Sequence, residues 1–291
     1  LTNLCKDNLS LNTRKNKMKI LIAVDMEGIT GVTTWDHVTP GHAEYARFRK
    51  LMTEDVNAAI AGAFEAGAKE VVVADGHWNA SNILVEELDP RARLNSGSPS
   101  PFSMMQGIGR DIDGVFFVGY HARQGSQNAV LDHTWSSVCV ANLWLNDSIA
   151  GEYTLNAALA GHYGVPVIMA SGDQTACGQM VEQLRALETA VTKHASGRFS
   201  AECLAPEVTH KMIRESAQSA VSRLLKKDAP KPFVAKTPVK ITVQLATSDM
   251  ADKAMHLPGA TRDGLKLSFA ADDMPKAYSA FRALVMLSYP R

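Results

Sequence analysis

Asp25 and Glu27 stand two residues apart in the run AVDMEG (23–28). Residues at i and i+2 of an extended segment point the same way, so the two carboxylates can share one face. Asp75-Gly76-His77 sets a carboxylate and an imidazole at the same spacing. His121 follows the run GVFFVGY (114–120), Asp132 and His133 precede Thr134 and Trp135, and Glu152 follows Gly151. Mixed imidazole and carboxylate donors suit Zn, Mn, Fe or Co, whereas Mg and Ca take oxygen ligands with little imidazole. Carboxylates crowded into one cleft repel unless protons or cations neutralise them. Two metal ions about 3.5–4 Å apart, bridged by a carboxylate and a water, would do so and would activate that water near neutral pH. The chemistry this inventory points to is metal-assisted hydrolysis. Each residue also has a plainer reading. Asp75 could cap a turn, Glu152 could open a helix whose dipole favours it, and His133 could pack beside Trp135. Asp173 is a weaker candidate, for a supporting or substrate contact.

The elements that would carry these groups are legible as patterns. KILIAV (19–24), EVVVA (70–74), GVFFVGY and VPVIMA (165–170) are short, nearly continuous apolar runs. Such runs mark strands covered on both faces. Helical spacing is predicted over 42–66, 82–88, 152–162 and 175–187. The β-α repetition implies an α/β fold, a mostly parallel sheet sandwiched by helices. In such sheets ligands bind at the carboxyl ends of the strands, where the chemical residues leave each run. Residues 138–145 should pair with 148–150 through the turn Asn146-Asp147. From about 190 the pattern changes: 189–194 and 240–245 alternate, a helix spans 206–227, a Pro/Lys-rich stretch follows, and a strand and a helix close the chain. The predicted division is an arm over 1–17, an α/β metal-binding catalytic domain over 18–190, and a smaller α+β domain over 191–291.

Composition bounds the function. Thirty basic and thirty acidic side chains leave the 291-residue chain without net charge, which argues against nucleic-acid binding. No run reaches the ~18 apolar residues of a membrane span, so no membrane partner is expected. Cysteines 5, 139, 177 and 203 lack C-x-x-C spacing and fit a reducing compartment, the cytoplasm. Residues 1–17 are polar, lack the apolar core of a signal peptide, and read as a tag, a read-through or a disordered arm. G-x-S-x-G, Walker A, H-E-x-x-H and a dinucleotide fingerprint are all missing.

The ordered motifs resemble a known family. AVDMEGITG (23–31) is similar to the S-x-D-x-E-G signature of the zinc-dependent D-aminopeptidase family, the DppA-type metallopeptidases. The likeness continues through ADGHWNASNILVEEL (74–88), SGSPSPFSMMQGI (96–108), FFVGYHAR (116–123), the Asp132-His133 segment, the long run 146–173 and AECLAP (201–206). It covers nearly all of 18–291. Ala23 replaces the family's leading Ser, and the spacing from His121 to His133 is about one residue longer. The resemblance implies an aminopeptidase that removes an N-terminal D-residue such as D-Ala from short peptides, with two Zn²⁺ per subunit, in a homodecamer. By motif, the zinc ligands would be Asp25, Glu27, His77, His121 and Glu152, with Asp25 bridging. His133 would be catalytic. Two rival readings keep the same metal site: an L- or broad-specificity aminopeptidase or amidase, and a non-catalytic peptide-binding oligomer. A metal phosphoesterase is disfavoured, since no basic cluster accompanies the site.

Overall fold

The computed structural model describes residues 18–290; the arm predicted over 1–17 lies outside the described residues. In chain order, β1 (Lys19–Val24), α1 (Trp35–Val38), α2 (Tyr45–Glu65), β2 (Glu70–Asp75), β3 (Ala92–Asn95) and β4 (Gly114–Tyr120) come first. Then follow β5 (Val140–Leu145), β6 (Ser148–Ile149), α3 (Glu152–His162), β7 (Val167–Asp173), α4 (Gln174–Leu184), β8 (Glu188–Gly197), β9 (Ser200–Cys203) and α5 (Pro206–Leu225). The chain closes with β10 (Val239–Leu245), α6 (Ser248–Ala254), β11 (Thr261–Asp263), β12 (Lys266–Ala271) and α7 (Met274–Ser288).

A seven-stranded sheet in the order β3-β2-β1-β4-β7-β8-β9 is parallel except for its last pair. Its central strands are apolar throughout because both faces are covered. Ile20, Ile22, Val24, Phe116 and Val118 share a core with the packed pair α2 and α5. Leu21, Ala23, Val115 and Phe117 face the other way, into a core shared with α3, α7 and the second sheet. That second sheet is antiparallel, in the order β11-β12-β10-β5-β6. The fold class read from the sequence is thus the fold observed. The predicted β5–β6 hairpin is present as well, with Asn146 and Asp147 at φ 48° and 67°, as a two-residue hairpin turn requires.

Three expectations change. Residues 82–88 form turns, not a helix. The Asp75 carboxylate accepts the backbone N–H of Asn82 (2.6 Å) and Ile83 (2.9 Å), and Thr53 Oγ1 accepts that of Leu84 (3.0 Å), so tertiary partners replace helical ones. Strand β3 was not foreseen; it is a half-exposed edge strand with no apolar run. The sheets also do not divide at residue 190. Strands β8 and β9 extend the large sheet and α5 packs on α2, while β5 and β6, from upstream, complete the small sheet. The alternation in β8 reflects its place next to the sheet edge, where one face keeps partial contact with solvent.

Candidate metal centre

The carboxyl ends of β1, β2 and β4 converge. Asp25 leaves β1, His77 lies two residues beyond β2, and His121 is the first residue after β4. Glu152 opens α3, and His133 sits in the connection between β4 and β5. With Glu27, all six are buried, from 1% to 8% exposed. Two glycines bring the β1 and β4 loops together. Gly28 donates its N–H to the Gly119 carbonyl at 2.7 Å, and a Cβ on Gly28 would stand 2.1 Å from the Tyr120 oxygen. Gly119 has φ +72°, and its Cβ would stand 2.3 Å from the Asp25 carbonyl. Only a residue without a side chain tolerates both the approach and the dihedral.

The six side chains interlock. His77 Nδ1 lies 3.2 Å from Asp25 Oδ1 and 3.3 Å from Glu27 Oε2. His121 Nε2 lies 3.4 Å from Asp25 Oδ2 and 3.1 Å from Glu152 Oε1. His133 Nε2 is 3.7 Å from Glu152 Oε1 and 3.9 Å from Glu27 Oε1. The His121 and His133 rings stack at 3.9 Å, and Trp35 presents an edge-on contact to His133 at 5.4 Å.

The outer nitrogens of the imidazoles decide what the inner ones can do. His77 Nε2 faces the Val38 carbonyl at 2.8 Å, His121 Nδ1 that of Ala122 at 2.9 Å, and His133 Nδ1 that of Leu131 at 2.8 Å. A carbonyl only accepts, so each outer nitrogen carries a proton, and in the neutral ring the inner nitrogen is the one that turns a lone pair into the cluster. Burial alone would raise Asp25, but hydrogen bonds and charge from His121 and His77 hold its carboxyl well below the usual range. Burial would lower His77 and His121, yet Glu27 and Glu152 respectively, each joined by Asp25, hold them well above the ordinary value. His133 goes the other way, pulled down by burial and then by its neighbour His121. The cluster therefore favours positive charge at its centre, from protons or from a metal cation.

Two atoms test the metal fit. Glu27 Oε2 and His121 Nε2 are buried and make no well-aligned hydrogen bond, although imidazole and carboxylate atoms lie 3.1–3.4 Å away. Buried polar atoms left in this state are costly, and metal coordination would satisfy both. Donor atoms of Asp25, Glu27 and His121 lie within 4.8 Å of one another, as do those of His121, His133 and Glu152. His121 thus belongs to two adjoining donor groups. Nitrogen and carboxylate oxygen in this proportion suit zinc.

Other candidates hold structure instead. Asp75 caps the 82–83 turn. Asp132 accepts from the backbone of Gly125 and Ser126 and pairs with Arg198. Asp173 caps α4 through Ala176 and also accepts from Val130. Sequence reading missed Trp35 and Lys193, whose types and positions carry no motif. A cavity of about 530 Å³ opens from the cluster, with Asp25, Glu27, His77, His133 and Glu152 in its wall together with Trp78, Trp135 and Arg282.

This geometry has known relatives. A family model described as D-aminopeptidase matches residues 18–283. The chain belongs to the D-aminopeptidase family. That membership makes it a peptidase, as the motif resemblance implied. A D-aminopeptidase of Bacillus subtilis (strain 168) is 36% identical over 273 residues, covering 93% of this chain and 98% of the relative. A solved structure of the same family, the Zn-dependent D-aminopeptidase DppA from Bacillus subtilis, described as a self-compartmentalizing protease, superposes with a TM-score of 0.90. It is 36% identical and covers 93% of this chain and 98% of that one. Among the described residues, no helix of this family member is long and apolar enough to cross a membrane.

Proposed function

We propose that the protein removes an N-terminal D-residue, such as D-Ala, from short peptides, using two Zn²⁺ per subunit. Asp25, Glu27, His77, His121 and Glu152 would hold the metals, and His133 would be the catalytic group. The observation that carries this reading is the set of three imidazoles with their outer nitrogens tied to carbonyls and their inner ones turned toward three buried carboxylates. The names of the relatives support the stereochemistry and the choice of zinc.

Bound there, zinc supplies Lewis acidity, which acidifies water and polarises an amide carbonyl. The chain's own residues do the rest. The Val38 and Ala122 carbonyls hold the outer protons of His77 and His121, so the inner nitrogens are the ones that would face a metal. His133, kept neutral by burial and by His121, can take a proton on Nε2 and return it to the departing amine. Trp35 and Trp135 help shield the centre from water. The self-compartmentalizing habit of DppA supports a homo-oligomer, here a decamer, that would admit only short peptides.

Release of amino acid from D-Ala-D-Ala and L-Ala-L-Ala, side by side, tests the reading with chelator-stripped and zinc-restored protein. Zinc-dependent cleavage of the D-peptide alone is expected. Cleavage of the L-peptide would overturn the stereochemical assignment, and turnover of neither by the zinc-loaded protein would overturn the aminopeptidase reading.

A further inference from the structure

Arg282 lines the same cavity as Asp25, Glu27 and Glu152. Among the residues that line it, Arg282 is the one side chain whose positive charge does not depend on pH. It projects from α7 together with Val285 and Met286, three and four residues on, so a single helix face forms this part of the wall.

The guanidinium is held by one corner. Arg282 Nη1 donates to the Ser100 carbonyl at 2.7 Å and to the Pro101 carbonyl at 2.7 Å. No carboxylate pairs with Arg282 among the described residues, and its Nε and Nη2 make no hydrogen bond among them. Nε and Nη2 together form the edge of a guanidinium that grips a carboxylate with two parallel bonds. An arginine that lines a cavity, is fixed by backbone carbonyls and keeps this edge free is preorganised for an anion.

We infer that Arg282 binds the C-terminal carboxylate of the substrate and so selects short peptides with a free C-terminus. The inference rests on the aminopeptidase reading above. A dipeptide ends in a free carboxylate, and Arg282 is the fixed cation among the residues lining the cavity that the cluster opens into. Two extended residues span roughly 7 Å, which a cavity of about 530 Å³ accommodates. Arg282 would be a specificity-determining residue with no part in the bond-breaking step.

The test compares D-Ala-D-Ala with its C-terminal amide on the zinc-loaded full chain. In the wild type, KM for the amide should exceed KM for the dipeptide by on the order of 10- to 100-fold, the range for a charge-assisted bond. In Arg282→Gln, which removes the guanidinium, that KM ratio should fall to about one. Arg282→Lys should keep an intermediate ratio, because it retains the charge and loses the fork. Equal KM values in the wild type, or a ratio unchanged in Arg282→Gln, would overturn the assignment and leave the aminopeptidase reading intact. If the wild type hydrolyses neither peptide, that reading fails and this inference falls with it. Should Arg282→Gln fold poorly, the wild-type ratio and Arg282→Lys still decide the matter.

Discussion

Lys193 reaches from β8 across the sheet and donates its ammonium to the main-chain oxygen of Glu27 at 2.7 Å. A second bond, also 2.7 Å, goes to the oxygen of Ile29. The side chain is fully buried, and burial pulls its pKa down to about 8. A register shift opposite Asp173 turns Thr192 and Lys193 inward together. The lysine thereby fixes the loop that carries Glu27 into the cluster of imidazoles and carboxylates.

Replacing Lys193 with Met should leave two buried carbonyls unpaired. The expected cost is about 2–4 kcal/mol of stability, together with zinc affinity weakened by roughly 10- to 100-fold, as for other groups that support metal ligands. Thermal melts and chelator competition read the two effects. Zinc affinity equal to the wild type would contradict this role for Lys193.

His133 belongs to one of the two donor groups, so its role needs separating from that of a ligand. His133→Gln should lower kcat by about 10²–10⁴-fold while metal analysis still finds two zinc ions per chain. Loss of zinc from this variant would instead make His133 a ligand.

The contact between Gly28 and the Tyr120 carbonyl leaves no room for a methyl group, which would stand 2.1 Å from that oxygen. Backbone is on both sides, so neither partner can swing away. Gly28→Ala should destabilise by more than about 3 kcal/mol and lower zinc retention, since it parts the Asp25 and His121 loops. A melting temperature within about 2 °C of the wild type would show that the loops can separate without cost.

Away from the centre, His210 lies 3.2 Å from the buried Asp55 carboxylate, whose oxygens also accept from the Thr30 hydroxyl and N–H. The contact with Asp55 raises the histidine pKa above its ordinary value of 6.5. A group raised in the folded state contributes fully below the unfolded value and loses its contribution as pH rises through the folded one. Stability from this pair should therefore be complete below pH ~6.5 and decline above it. The half-open setting limits the effect to about 1 kcal/mol or less. Urea melts of wild type and His210→Asn from pH 6 to 8.5 should converge as pH rises; parallel curves would remove this pair from the pH dependence.

Much of the site was legible because its signals are local. Asp25, Glu27, His77 and His121 each follow an apolar run, and the rule that parallel sheets present chemistry at strand ends brings them together. Glu152 and His133 also had recognisable settings. The motif resemblance then set the proposed ligands apart from Asp75 and Asp132, a choice that spacing alone had left open, since a capping carboxylate and a ligating one look alike in sequence. Lys193 and Arg282 were illegible. One depends on a register shift, the other on how α7 packs across the cavity, and neither is encoded by neighbours in the chain. The sheet boundaries were obscured for a similar reason: β5 pairs with β10, about 100 residues later, and carries β6 with it into the small sheet.

The most direct test of the central claim is a zinc titration of stripped protein, with bound metal and D-Ala-D-Ala hydrolysis followed in the same samples. Activity should rise with occupancy and level off at two equivalents per chain, and His121→Ala, lacking the residue common to both donor groups, should bind neither ion tightly. A plateau at one equivalent would contradict the two-zinc centre, and full activity in the stripped protein would contradict the metal-dependent reading as a whole.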